Sequence, residues 1–492
     1  MKRSLVWLLF VLSVFTVWQG AVITADPDMR FEIGRGPLTD EGWHSYQLRN
    51  YLNGHGMDSR VTDSFLKEPG FNAFLFPWLL LNESPLLQRF AVLALILFSV
   101  LLMAGNKGQR LFLAIFVILG LMHPVLFQYA HYSMAEMPVA VLLLLGIWCF
   151  CTHWESGNQR MLVAGSAAFF GAFLMKLQYA PELMLVPLYG IIYAVQKRQW
   201  RHFRTVISSL AVFIAIYAAF WWLPHREDFS YFIQLWTKDQ FLNTADTWER
   251  VRYYYREWLA HASFWRGYFE VFCVALTIGL FFLFRKESGT WFRLLFLFSL
   301  AVIILQCRVF VTGYVPLRYL VSMLFFGLAL ISATLANAYQ IAKLHRSYTI
   351  FLIVLFAGSV WIIWKNLDEN IFTTQHLQWQ QYAARQYLKQ HLRPGERVLG
   401  NWAPSLCNGL QQEVRTISYD VAPYRETLLH FRPRLIIAET DEADSDGAFL
   451  RKGISLQSIA DSSKTFSIGG KTLRCYWLHP ASFSLNSFHE NE

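Results

Sequence analysis

The chain is short of charge. Charged residues fill 16% of its 492 positions and apolar residues 55%, and mean hydropathy is positive at +0.30. Soluble globular chains carry about 25% charged residues, so a wholly soluble protein is excluded. Cysteine is scarce too: there are six, without the paired spacing of a zinc site. Neither a Walker loop nor a dinucleotide fingerprint occurs, so no motif directs the reading toward zinc, P-loop or nicotinamide chemistry. Acidic residues are outnumbered by basic ones, 34 to 43, for a formal charge of +9.

What fills the chain is a succession of apolar runs. About 20 mostly apolar residues cross a bilayer. Spans are read near 5–24, 86–104, 110–130, 137–153, 161–176, 181–195, 205–223, 267–285, 291–311, 314–337 and 348–365, about eleven in all. The fifth and sixth are short and fit one broken or tilted pair. Lys2/Arg3, Lys107/Arg110, Arg160, Lys197/Arg198/Arg201/Arg204, Arg285/Lys286/Arg293 and Lys343/Arg346 mark alternate ends, while Asp40/Glu41, Glu136, Glu182 and Glu227/Asp228 mark the opposite ones. Basic loops stay inside, so the N-terminus is read as inside and the C-terminus as outside. The positive charge is then a topology signal, with no call for nucleic acid. The first run is longer than the 7–15 residues of a signal-peptide core, which favours a retained anchor.

Three regions are read outside the bilayer. In the outer loop 25–85, Asp40 or Thr39 is placed as the N-cap of a short helix carrying Trp43, Tyr46, Leu48, Tyr51 and Leu52, stopped at Gly54-His55-Gly56. Phe71–Leu81 is apolar but too short to span and reads as interfacial or re-entrant. The outer loop 224–265 is dense in Trp, Tyr and Arg, as on a headgroup surface. The tail from 370 reads as a soluble α/β domain: a helix over 376–393, strands at Arg397, Val414 and Arg434, and a hairpin over Thr465–Trp477 turning at Gly469-Gly470. Its Cys407 and Cys475 face an oxidising compartment, leaving a disulfide open. Cys149, Cys151, Cys273 and Cys307 lie in spans as packing residues.

The fold class is therefore a polytopic α-helical membrane protein with a C-terminal soluble α/β domain, divided as 1–369 and 370–492. Candidate chemistry gathers at the outer face. Asp40, with Glu41 beside it, is a general-base candidate or a helix cap. Glu136, in Ser133-x-x-Glu136, is a site carboxylate, a capping-box member, or both. Lys176 interrupts an apolar stretch, where a charge is costly and marks function unless it snorkels. Arg308 and Arg318 bracket an outer hairpin, against the orientation rule, and the Arg fork suits phosphate. His123 and His131 read as aromatic-belt residues rather than metal ligands.

Together these residues resemble the GT-C class of glycosyltransferases, in particular the bacterial protein-mannosyltransferase and aminoarabinose-transferase-like group (glycosyltransferase family 39-like). The resemblance is carried by the Asp40-Glu41 loop with Tyr46 and Arg49, Pro69 before a short apolar segment, Glu136-x-Pro138, Lys176, Pro316-Leu-Arg318-Tyr319-Leu, and the late soluble domain. The chain departs from that group at Lys176-Leu, where Lys-Gly or Lys-Tyr is common, and at Glu136, often Asp. The resemblance implies an inverting transfer of a sugar from a polyprenyl-phosphate donor to a lipid, glycan or protein acceptor, in a bacterial inner membrane with the tail periplasmic. It implies Asp40 as base, and Glu41 or Glu136 orienting the sugar or acceptor or helping to hold a divalent cation. Lys176, Arg318 and Tyr319 would sit at the donor phosphate, with Arg308 as a weaker third. Two other classes stay open: an O-antigen ligase or polymerase, and a transporter of lipid-linked glycans.

Overall fold

A computed structural model describes residues 2–31, 35–57, 64–106, 109–238, 249, 252, 264–284, 288–311, 317–344, 349–417, 424–440, 442 and 445–478. The chain is mostly helical, 75%, with a small C-terminal sheet. Among the described residues, seven helices are long and apolar enough to cross a membrane: Ser4–Val22, Pro85–Met103, Glu136–Ser156, Trp200–Trp222, Thr290–Phe310, Arg318–Ala338 and a stretch beginning at Thr349. This is a membrane protein with its apolar helices in a lipid bilayer. Helices also stand at the other four places expected from the sequence, three of them shorter. Arg110–Leu121 is a shorter apolar helix, Gln159–Met175 has 17 residues and Leu185–Lys197 has 13, whereas Phe264–Phe284 has 21. The fifth and sixth predicted spans do join through a break, the 3-10 turn Leu177–Met184.

Glu136–Ser156 is the central helix, buried over 78% of its apolar window, while Trp200–Trp222, at 6%, lies at the edge. The central helix packs along Gln159–Met175, Thr290–Gln306 and Pro85–Met103. One apolar core built from Phe116, Leu126, Leu144, Phe150, Phe296, Phe325 and their neighbours holds these helices together.

The tail forms a five-stranded sheet, β1 (Arg397–Leu399), β2 (Glu413–Arg415), β3 (Leu435–Glu439), β4 (Ala460–Ile468) and β5 (Lys471–Leu478), in the order β2-β1-β3-β5-β4. The first three strands are parallel and the last two form the expected hairpin at Gly469-Gly470. The period-two alternation of a strand gives the sheet two buried faces. Val398, Leu435, Ile437, Leu473 and Cys475 face the helix Gln380–His391, and Leu399, Ile436, Ala438, Tyr476 and Leu478 face Leu428, Phe431 and Phe449. The first face is completed from the far end of the chain, by Leu38 and Tyr46. Cys407 and Cys475 are free thiols buried in that core, and burial pushes the Cys407 thiol up to about 12.

The outer-loop expectations need correction. The helix starts at Pro37, behind Gly36, and runs to Trp43; a second runs from Tyr46 to Leu52. Proline at the first helical position presets the helical φ, so Gly36-Pro37 opens the helix and Asp40 and Thr39 do not cap it. The capping box is absent as well: Ala135 precedes the helix at Glu136, with no side-chain cap. The short apolar segment is the 13-residue helix Pro69–Leu81. Most of 239–263 and the hairpin residues 312–316 lie outside the described residues.

Candidate functional site

Two neighbouring carboxylates on the first outer helix separate, because successive helical residues point about 100° apart. Glu41 turns inward to Arg89, with Nε–Oε1 at 2.8 Å and Nη2–Oε2 at 2.5 Å. Arg89 also donates to the carbonyls of Ile23 and Ala25, and Glu41 accepts from the Ser133 N–H at 2.9 Å. Every partner of Glu41 is buried framework, so it joins the end of the first helix to the loop before Glu136. Asp40 turns the other way and forms an ion pair with Arg318.

Around that pair a charged network assembles from distant segments. Arg318 Nε lies 3.9 Å from Glu136 Oε1, and the same oxygen accepts from Lys176 Nζ at 2.6 Å. Lys176 Nζ is 3.5 Å from Glu68 Oε1, and Glu68 pairs with His44. The Tyr319 ring lies beneath both cations, 5.0 Å from Lys176 Nζ and 5.4 Å from Arg318 Cζ, a cation–π placement. Three carboxylates thus share two permanent cations and one histidine.

The backbone explains the convergence. Lys176 ends the helix Gln159–Met175 in an extended conformation before the 3-10 turn, which drives its side chain inward, so it does not snorkel. Glu68 precedes Pro69, which opens the next helix. A Cβ on Gly70 would sit 2.7 Å from Leu174; only glycine lets that helix approach closely enough to set Glu68 beside Lys176. Burial works to raise the Glu68 carboxyl, but His44 and Lys176 outweigh it and hold it below the ordinary glutamate value.

Exposure ranks the members. The Glu136 side chain is 0% exposed, Lys176 7% and Glu68 4%, whereas Asp40 and Arg318 keep 13% and 16%. The Asp40–Arg318 pair is therefore the mouth of the cluster. Inside it, Glu136 Oε2 and Arg318 Nε are buried with no hydrogen-bond partner among the described residues, spare capacity of a kind that native interiors seldom leave.

The remaining candidates lie elsewhere. Arg308 is taken up by Glu182, 2.7 Å to Oε1, and by the carbonyls of Gln178 and Leu305. His123 pairs with Glu270 at 3.0 Å and His131 with Gln19 at 2.7 Å. Among the described residues no group of three or more His, Cys, Asp or Glu is placed to hold a metal ion. Sequence reasoning passed over Glu68 and His44, which carry no motif; the one signal was a charge immediately before the Pro69 helix.

The tail grips the Asp40 helix. Ser405 Oγ donates to the Thr39 carbonyl at 3.0 Å, Gln381 Nε2 to the Leu38 carbonyl at 2.8 Å, and Trp43 Nε1 to the Asn401 carbonyl at 2.8 Å. Arg49 donates to the carbonyls of Cys407 and Pro404 at 2.9 and 2.7 Å. Asn50 makes two bonds with the backbone of Val414. Burial pushes the Arg49 guanidinium down to about 10, so it stays charged at neutral pH. No family model matches the chain and no curated protein matches it.

Proposed function

We propose that this chain is a GT-C-type glycosyltransferase that moves a sugar from a polyprenyl-phosphate donor to an acceptor at the outer face of the membrane. The observation that carries the reading is the convergence of Asp40, Glu136, Lys176, Arg318 and Tyr319, from four separate segments, in one partly open cluster at one end of the bundle.

Charge counting shapes the mechanism. Lys176 and Arg318 are already matched by carboxylates, so an incoming donor phosphate competes with Asp40 for Arg318, whose fork takes two phosphate oxygens. That exchange releases Asp40 at the moment the donor binds. The freed carboxylate accepts the acceptor's proton as the acceptor oxygen or nitrogen bonds to the anomeric carbon. The bond from that carbon to the phosphate oxygen breaks, and the phosphate leaves with the electron pair. Arg318 and Lys176 stabilise the charge that builds on the leaving oxygen, usually a large catalytic term. Glu136 holds Lys176 in place, and its free oxygen can meet a sugar hydroxyl. Glu41 takes no part in the reaction on this reading, and Arg308 lies outside the cluster. Eleven spans with the N-terminus cytoplasmic and the tail periplasmic in a bacterial inner membrane complete the proposal.

The test is to reconstitute the full chain in nanodiscs with a panel of labelled undecaprenyl-phosphate sugars and membrane extract as acceptor, and to follow undecaprenyl phosphate. Release with one sugar supports the proposal. No release with any sugar shifts the weight to a ligase or polymerase acting on lipid-linked glycans, or to a transporter of them.

A further inference from the structure

A second site lies at the opposite end of the bundle from Asp40. A groove of about 490 Å³ runs between the helices Leu185–Lys197 and Thr290–Gln306, closed on one side by Trp154. Its floor is apolar, formed by Leu188, Ile192, Leu294, Leu297 and Phe298. Leu188 and Leu297 are also strongly exposed, so the groove opens sideways onto the bilayer. Its polar residues stand at one end: Gln196, Lys197, Thr290 and Arg293.

Those polar groups have capacity to spare. Arg293 Nη2 donates to Thr290 Oγ1 at a long 3.3 Å, and Arg293 Nε is buried with no hydrogen-bond partner among the described residues. Lys197 Nζ stands 5.8 Å above the Trp154 ring, positioned without a carboxylate partner in the groove. No acidic residue is among the groove's described lining. Arg198, Arg201 and Arg204 follow on the same end, giving a field that attracts anionic headgroups.

We propose that this groove holds one anionic glycerophospholipid, its phosphate on Arg293 and Lys197 and one acyl chain along the apolar floor. Dimensions favour this occupant over a polyprenyl carrier. The 13-residue helix Leu185–Lys197 rises ~20 Å, about half of the roughly 40–45 Å of a bilayer with its headgroup regions, so the groove is about as deep as a single leaflet with its headgroups. A polyprenyl chain would overrun it. The site is independent of the donor reading: it lies at the other end of the bundle, and the one helix it shares, Glu136–Ser156, contributes Trp154 from its far end.

The experiment is native mass spectrometry of the full chain released from nanodiscs of phosphatidylcholine doped with phosphatidylglycerol. Wild type should retain one phosphatidylglycerol in preference to phosphatidylcholine. Arg293→Gln with Lys197→Gln should weaken retention by roughly 25-fold, from about tenfold per 1.4 kcal/mol and about 1 kcal/mol per basic side chain. Leu297→Trp, which fills the groove and leaves the cations, should displace the lipid as well. Equal retention in both variants, equal retention of phosphatidylcholine, or undecaprenyl phosphate recovered in place of phosphatidylglycerol from native membranes would overturn the assignment.

Discussion

Asp40 and Glu41 are adjacent carboxylates with opposite fates, and substitution separates them. Arg89→Met leaves Glu41 buried without its cation, a change that costs about 3–5 kcal/mol. A matching fall in the unfolding midpoint in nanodiscs is expected; an unchanged midpoint would contradict the framework role. Glu68 gives a pH signature. Its carboxyl is held below the ordinary 4.5, so its stabilising contribution is complete above that value and is lost as pH falls through the lower folded value. As pH falls below the ordinary glutamate value, wild type should lose more stability than Glu68→Gln; parallel curves would show that Glu68 gains nothing from His44 and Lys176. At this scale the sequence was only half legible. Asp40, Glu136, Lys176 and Arg318 stood out as charges at apolar boundaries. The Glu41–Arg89 and Glu68–His44 pairs depend on long-range packing and leave no local pattern.

Among the elements, the helix Pro37–Trp43 decides most. It does not stand free over the membrane: a Cβ on Gly42 would lie 2.3 Å from the Ser405 backbone nitrogen. In an exposed helix Gly→Ala stabilises by roughly 1 kcal/mol. Here the sign reverses, because the new methyl pushes the tail away from the helix, and overpacking costs about 1–3 kcal/mol. Gly42→Ala should therefore lower the melting point and, on the proposed reading, reduce turnover as Asp40 is displaced. A stabilised, fully active Gly42→Ala protein would refute the clamp. The strands and hairpin of the tail were readable from alternation and from Gly469-Gly470. The start of the Asp40 helix is less legible, because Asp40 is a good cap by residue type while the Gly36-Pro37 pair opens the helix ahead of it.

For the molecule as a whole, hydropathy identified a membrane protein, and the apolar runs marked where its helices stand. Those runs could not show how many helices cross, since the shorter ones owe part of their stability to neighbours. Nor did the tail's composition disclose its use. Leu38 and Tyr46 complete its core, and its segment Asn401–Cys407, with the short helix Ala403–Leu406, holds the outer helix, so the tail and the first outer loop act as one unit that fixes the mouth of the cluster. The most direct measurement of the central proposal is sugar-dependent release of undecaprenyl phosphate by wild type and Asp40→Asn in nanodiscs, with matched melting points as the control for folding. Release by wild type that falls at least 100-fold in the variant, within the roughly 10²–10⁴-fold contribution of a general base, is the predicted result. Equal release by a folded Asp40→Asn protein would contradict it.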